Sequence, residues 1–163
     1  MAITTKVKAT DYAVLNPASG ELLEQFSFHT DVDIQLCLND AVTSFPLWKD
    51  AGFEYRSECF IRLAELLRRE QDALARTMAL EMGKPLAQGK AEAEKSAFVC
   101  EYYATHAESF LSPYEVSTDM SESRVVYEPL GSIFAVMPWN IPLWQVFRAA
   151  APIMMSGYTM LLK

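Results

Sequence analysis

Gly131-Ser132-Ile133-Phe134-Ala135-Val136-Met137-Pro138-Trp139-Asn140-Ile141-Pro142 decides the fold, together with the run that continues to Lys163. A short apolar stretch ends in a Pro-Trp-Asn turn. A second apolar segment follows, then Gly157, then Tyr158-Thr159-Met160-Leu161-Leu162 and Lys163. Near-continuous apolar runs of strand length, separated by a helix-length segment, spell strand, helix, strand in a buried parallel sheet. In such sheets ligands lie outside the carboxyl ends of the strands. Asn140 follows the carboxyl end of the first strand and Lys163 ends the second. A right-handed crossover brings both to the same sheet edge, where a site is expected.

Working outward, 163 residues suffice for one domain with a sizeable core. About half are hydrophobic, and the net charge is −7. Nucleic acid requires a basic face, and an anionic membrane surface finds nothing here to attract. Residues 129–162 carry few charges, but Asn140, Gln145, Arg148, Pro138, Pro142, Pro152 and Gly157 interrupt them. No clean stretch of about 20 apolar residues is left for a membrane anchor. Met1-Ala2-Ile3-Thr4-Thr5-Lys6 lacks the long apolar core of a signal peptide. A reducing cytoplasm is the expected compartment.

From the N-terminus, Asn16-Pro17-Ala18-Ser19-Gly20-Glu21 is a turn between two short strands, Tyr12 to Leu15 and Leu22 to Phe28, expected to pair as a hairpin. Thr30 opens a helix, with Asp33 three residues on in a capping-box arrangement. Ile34, Cys37, Leu38, Ala41, Phe45 and Trp48 mark its expected buried face, and Pro46 is expected to end or kink it. After Ala51-Gly52 a longer helix begins near Glu54, with Phe60, Leu63, Leu66, Leu67, Leu74 and Met78 as its stripe. Gly83 suits a helix C-terminus and Pro85 the start of the next helix. That helix spans roughly 86–111, with Ala93, Ala97, Cys100, Ala104, Ala107 and Phe110 on its buried side. Ser112-Pro113 closes it. Residues 116–128 alternate weakly, with Arg124 to Tyr127 the best strand, as an arm or an edge.

Few residues here carry chemistry of their own. Cys37, Cys59 and Cys100 are far apart, without zinc spacing, and each falls on a helical apolar stripe, so core packing is expected. His29 and His106 have no catalytic partner in sequence. Gly83-Lys84-Pro85 differs from a phosphate loop: the upstream glycine is missing and a helix, not a strand, precedes it.

Four segments carry a resemblance. Asn16-Pro17-Ala18-Ser19-Gly20-Glu21, Glu81-Met82-Gly83-Lys84-Pro85, Glu128-Pro129-Leu130-Gly131 and Met137-Pro138-Trp139-Asn140-Ile141-Pro142-Leu143, in this order, resemble the aldehyde dehydrogenase superfamily. Trp144 to Arg148 and Leu161-Leu162-Lys163 look most like its succinate-semialdehyde dehydrogenase branch. The resemblance runs from about Asn16 to Lys163. It implies an α/β fold: the N-terminal part of a Rossmann-like cofactor-binding domain, with a hairpin, a helical layer and the start of a parallel sheet. It also implies that 112–128 is an oligomerisation arm, that the parent assembles as a homo-oligomer, and that the cofactor is NAD or NADP.

The resemblance implies roles residue by residue. Asn140 matches the asparagine whose amide helps stabilise the oxyanion formed when a cysteine attacks the aldehyde, a task suited to a neutral, preplaced donor. Taken alone it could be a turn or helix-cap residue. Trp139 matches a residue lining the nicotinamide channel, although such a Trp is as often core. Lys163 matches the lysine that binds adenosine-ribose hydroxyls. Arg148, eight residues after Asn140, matches the arginine that holds the distal carboxylate of succinate semialdehyde. A guanidinium fork suits that task, and a structural ion pair is the alternative.

Two departures stand out. Tyr158 follows Gly157 where the family typically has asparagine, which puts the local backbone in question. The family's pyrophosphate-binding turn, general-base glutamate, nucleophilic cysteine and whole catalytic domain have no counterpart in these residues. Cys37, Cys59 and Cys100 cannot stand in for the nucleophile, because they lie on helices upstream of the cofactor motif. The expectation is therefore an N-terminal fragment of an aldehyde oxidoreductase, inactive alone. The competing expectation is a remnant or interaction module that assembles with a full-length relative or a separate C-terminal piece.

Overall fold

The structure, a computed structural model, describes residues 11–163. The N-terminal stretch read above as lacking a signal peptide lies outside them. The strand–helix–strand unit forms as expected. Strand β5 (Ser132–Ala135) pairs in parallel with β6 (Thr159–Leu162), joined by helix α5 (Pro142–Met155). The register sets Ser132 beside Thr159 and Ala135 beside Leu162. Helix α1 (Asp31–Asp50) is fastened to this pair through one carbonyl. The Ser132 and Thr159 hydroxyls donate to Ala41 O at 3.1 and 3.0 Å and lie 2.6 Å from each other. Ala41 is buried there, and a larger residue would push helix from sheet.

The second predicted helix is two. α2 (Gly52–Arg69) and α3 (Gln71–Met82) break at Glu70, and both pack along α4 (Leu86–Leu111). No proline or glycine marks the break; packing against one long partner bends the path. Phe60, Ala64 and Leu67 of α2 meet Ala97, Cys100, Ala104 and Ala107 of α4, and Ala151 and Met155 of α5 join the same core. Small residues on α4 let neighbouring helices approach closely. A Cβ placed on Gly89 would lie 2.9 Å from Ala75 Cα.

Charges secure the helical layer at its ends and margin. Arg56 is only 4% exposed. Its Nε donates to Met155 O at 3.1 Å, and its Nη1 donates to Trp48 O and Lys49 O at 3.1 and 3.0 Å. One guanidinium thus satisfies carbonyls at the C-terminal ends of α1 and α5, where the helix dipole favours a cation. Arg68 holds both carboxylate oxygens of Glu101 and also bonds Glu94, joining α2 to α4. The bond from Arg68 holds the Glu101 carboxyl below its usual range, and the same bond raises the guanidinium's own value.

The remaining elements follow their local chemistry. β1 (Asp11–Leu15) and β2 (Leu22–Ser27) form the expected antiparallel hairpin, closed by a turn in which Asn16 Oδ1 accepts from Ala18 N at 2.9 Å. Thr30 and Asp33 make both capping-box bonds. Residues 114–125 hold a minimal antiparallel pair, β3 (Tyr114–Glu115) with β4 (Arg124–Val125), shorter than the strand expected to reach Tyr127.

Several expectations are corrected, beginning with Leu66 on the α2 stripe, which is exposed. On the α1 stripe Ala41 is buried and Phe45 and Trp48 are half-buried, whereas Ile34, Cys37 and Leu38 face solvent. Only the C-terminal half of α1 reaches the sheet. Pro46 does not end that helix, which continues to Asp50; the bond it forfeits is to Val42 O, on an exposed residue where water can replace it. Phe110 is exposed, beyond the end of the α2 contact. Of the thiols, Cys100 is buried, Cys59 half-buried and Cys37 exposed, so core packing holds fully for one. Among the described residues no helix is long and apolar enough to cross a membrane.

Candidate functional site

Parallel pairing carries the two strand ends to one edge. Lys163 N donates to Ala135 O at 2.8 Å, and Met137 N donates to Lys163 O at 2.9 Å, so the ladder extends one step past both strands. Beyond it the chain leaves the sheet as Pro138-Trp139-Asn140-Ile141, and Pro142 starts α5. Proline at the first helical turn forfeits no intrahelical bond. Trp139 is 74% exposed, and Asn140 and Lys163 are also exposed. The sheet thus brings the Trp139–Asn140 turn and Lys163 to the same edge, open to a ligand.

A buried ion pair lies beneath this turn. Glu92 on α4 is 6% exposed. Its Oε1 accepts from Leu143 N at 2.8 Å and from Trp144 N at 3.1 Å, the free amides of the first turn of α5. Its Oε2 is held by the Lys84 ammonium, and Lys84 Nζ also donates to Asn140 O at 3.3 Å. The carboxylate sits at the positive end of the helix dipole, fully bonded. Lys84 is brought there by the end of α3. Gly83 adopts φ 73°, and Lys84 N reaches back to Met78 O while Gly83 N bonds Ala79 O. The Glu-Met-Gly-Lys-Pro segment is therefore a helix stop that delivers a lysine to the Pro-Trp-Asn turn.

Glu92 and Lys84 are the site residues that sequence reasoning missed. A signal for Glu92 existed: it is the one carboxylate in the sequence of Gly89, Ala93, Ser96, Ala97 and Cys100, which is otherwise small and apolar at helical spacing. Nothing local tied it to a turn some fifty residues downstream.

Arg148 is exposed on α5, and among the described residues it makes no salt bridge. It lies six residues into α5 from Pro142, about 9 Å along the axis from the turn that carries Asn140. Tyr158 keeps a negative φ, and the left-handed step falls on Gly157 at φ 92°. The tyrosine is accommodated without backbone strain. Cys100 lies in the helical core, where burial pushes its thiol up to about 12. It is no nucleophile at neutral pH.

Backbone pairing thus places an exposed ammonium, an exposed indole and an exposed amide along one sheet edge. An amide on a turn held from below can meet an oxyanion without reorganising.

Known proteins resemble this chain along nearly its whole length. The chain is 43% identical, over 93% of its length, to the probable succinate-semialdehyde dehydrogenase [NADP(+)] of Synechocystis sp., and it covers 33% of that relative. It is 38% identical, over 98% of its length, to the succinate semialdehyde dehydrogenase [NAD(P)+] Sad of Escherichia coli, and it covers 34% of it. The solved succinic semialdehyde dehydrogenase from Streptococcus pyogenes in complex with NADP+ superposes with a TM-score of 0.87 at 31% identity, over 93% of this chain and 33% of that one. The chain thus spans about a third of the length of the relatives it matches. The sequence model of the aldehyde dehydrogenase family matches residues 4–163, and with the parallel pair, the Pro-Trp-Asn turn and this breadth of similarity the chain belongs to that family.

Proposed function

We propose that these residues form the N-terminal part of the cofactor-binding domain of an NADP- or NAD-dependent aldehyde dehydrogenase, acting in the cytoplasm on succinate semialdehyde. The observation that carries this reading is the convergence of Trp139, Asn140 and Lys163 at one open sheet edge, in a chain whose relatives bear that name. Asn140 would donate its side-chain amide to the oxyanion that forms as a thiolate adds to the aldehyde. Trp139 would wall the nicotinamide channel and exclude water. Lys163 would bind the adenosine ribose. Arg148, which has no salt-bridge partner among the described residues, would receive the distal carboxylate of the substrate. The cofactor would supply hydride acceptance when bound.

The nucleophile and general base must come from polypeptide beyond these residues, so the 163 residues alone are expected to be inactive. The 112–128 segment, a short exposed hairpin, would serve subunit assembly. A second reading, a non-catalytic module docking onto a relative or a separate C-terminal piece, is favoured by the large apolar side chains exposed around β5 and β6.

Joining residues 1–163 to the remaining two-thirds of the E. coli relative tests both readings. NADP- or NAD-dependent oxidation of succinate semialdehyde is expected from the fusion and not from the 163 residues. Asn140→Ala should lower kcat by about 10²-fold or more. Arg148→Leu should raise KM for succinate semialdehyde while leaving that for butanal unchanged. An Asn140→Ala fusion as active as its parent would overturn the assignment. A well-folded fusion without turnover would favour the docking module.

A further inference from the structure

We infer that Lys84 and Glu92 are positioning residues: together they clamp the Pro-Trp-Asn turn and set where Asn140 sits relative to the start of α5. The inference rests on reading Asn140 as the oxyanion donor, and it names the device that holds that donor in place. Asn140 lies just ahead of α5, in a stretch whose regular pairing among the described residues, at Met137 and Lys163, ends two residues before Trp139. A side chain there is useful to chemistry only if its backbone is held on both sides.

The structure holds it through two segments distant in sequence. On the helix side, both donors that α5 leaves free at Leu143 and Trp144 end on one oxygen of Glu92, which fixes the helix start against α4. On the turn side, Lys84 bonds the other oxygen of Glu92 and the carbonyl of Asn140 itself. The ammonium thus ties the residue to be positioned to the carboxylate that anchors the following helix. Each partner is rigidly mounted. Glu92 is in the interior of a 26-residue helix, and Lys84 follows the left-handed Gly83 stop. Ser96 Oγ donates to Glu92 O one turn on, leaving both carboxylate oxygens to Lys84 and the α5 amides. A pair built merely to fasten α3 to α4 would have no reason to spend its remaining bonds on the turn and on α5.

NMR of the 163-residue chain tests this without measuring turnover. First-turn amides of a helix ordinarily exchange freely, so protection of Leu143 and Trp144 is itself diagnostic. Glu92→Gln is expected to speed exchange at these two amides by about tenfold, while the Cys100 amide in the helical core is unchanged. Lys84→Met should leave Leu143 and Trp144 protected, yet shift the Asn140 carbonyl carbon and raise the amplitude of the Asn140 backbone in ¹⁵N relaxation. Lys84→Arg should restore both signals. If Glu92→Gln fails to fold, the two lysine variants carry the test.

Unprotected Leu143 and Trp144 in the parent chain would overturn the clamp. So would Asn140 signals that do not change in Lys84→Met. Either result leaves the role of Asn140 to the fusion experiment, and a fusion indifferent to Asn140→Ala would leave the clamp intact.

Discussion

Among α2, α4 and α5 the interior is lined with alanines, and Phe60, Leu67 and Met155 are buried between them. Around β5 and β6 the reverse holds: Phe134 is 64% exposed, and Val136, Leu130 and Leu162 also face solvent. Both regions are apolar in sequence. The helices satisfy their own backbone bonds and need only close neighbours, which small residues permit. A parallel pair leaves one side of each strand unpaired among the described residues and one face partly bare, so it depends on further strands and layers. The relatives are about three times as long as this chain. The comparison therefore sets a helical core closed around Phe60, Cys100 and Met155 against a strand pair whose apolar residues stay largely exposed among the described residues.

The largest expected effect breaks the closed side. Phe60→Ala removes a buried ring from the α2–α4–α5 core and should cost about 3–5 kcal/mol in urea unfolding. A loss below about 1 kcal/mol would mean that the helical layer is no more cohesive than the sheet.

Gly89→Ala comes next. At an open helical position this change would stabilise by about 1 kcal/mol. Here the new methyl lies 2.9 Å from the Ala75 backbone, so a net loss of about 1–3 kcal/mol is expected from the same titration. A gain would show that α3 and α4 stand farther apart than described.

Smaller is the margin of the layer, where Arg68 joins Glu101. Because the folded-state value of Glu101 is lowered, its contribution is present above the ordinary carboxylate range near about pH 4.3 and is lost as pH falls through the lowered value. The pair is partly exposed, which holds its worth to about 1 kcal/mol or less. Glu101→Gln should therefore flatten the fall in stability as pH drops below the ordinary carboxylate range, and change little once the carboxyl is protonated in both states. An unaltered pH profile would remove the pair from the account.

The smallest effect on stability sharpens the open side. Phe134→Ser should alter unfolding free energy by no more than about 0.5 kcal/mol, since the ring is already in water. It should nevertheless reduce self-association in light scattering, because the exposed edge loses its largest apolar group. A large destabilisation would mean that Phe134 is covered within the chain after all.

The split between legible and illegible follows the range of each interaction. The capping box at Thr30 and Asp33, the Gly83 helix stop, the hairpin and the strand–helix–strand unit could all be read, because each is decided within a few residues. The break at Glu70 could not: both sides are good helix, and α4 alone dictates where the path bends. Burial on α1 failed for the same reason, since helical spacing shows a stripe but not how much of it finds a partner. For the proposed site, motif resemblance offered Trp139, Asn140, Lys163 and Arg148, whereas the bonds from Glu92 to α5 had no motif to announce them.

By itself, then, the sequence determined the hairpin, the helix caps, the parallel pairing and the residues offered at the strand ends, since these rest on hydrogen-bonding geometry and side-chain period along one segment. Only the tertiary structure decided that Lys84 and Glu92 hold the turn bearing Asn140, that Arg56 closes two helices, and that Cys37 is exposed while Cys100 is sealed. Those outcomes depend on which distant surfaces meet, and a buried charge is stabilised only by partners that the fold itself brings within reach.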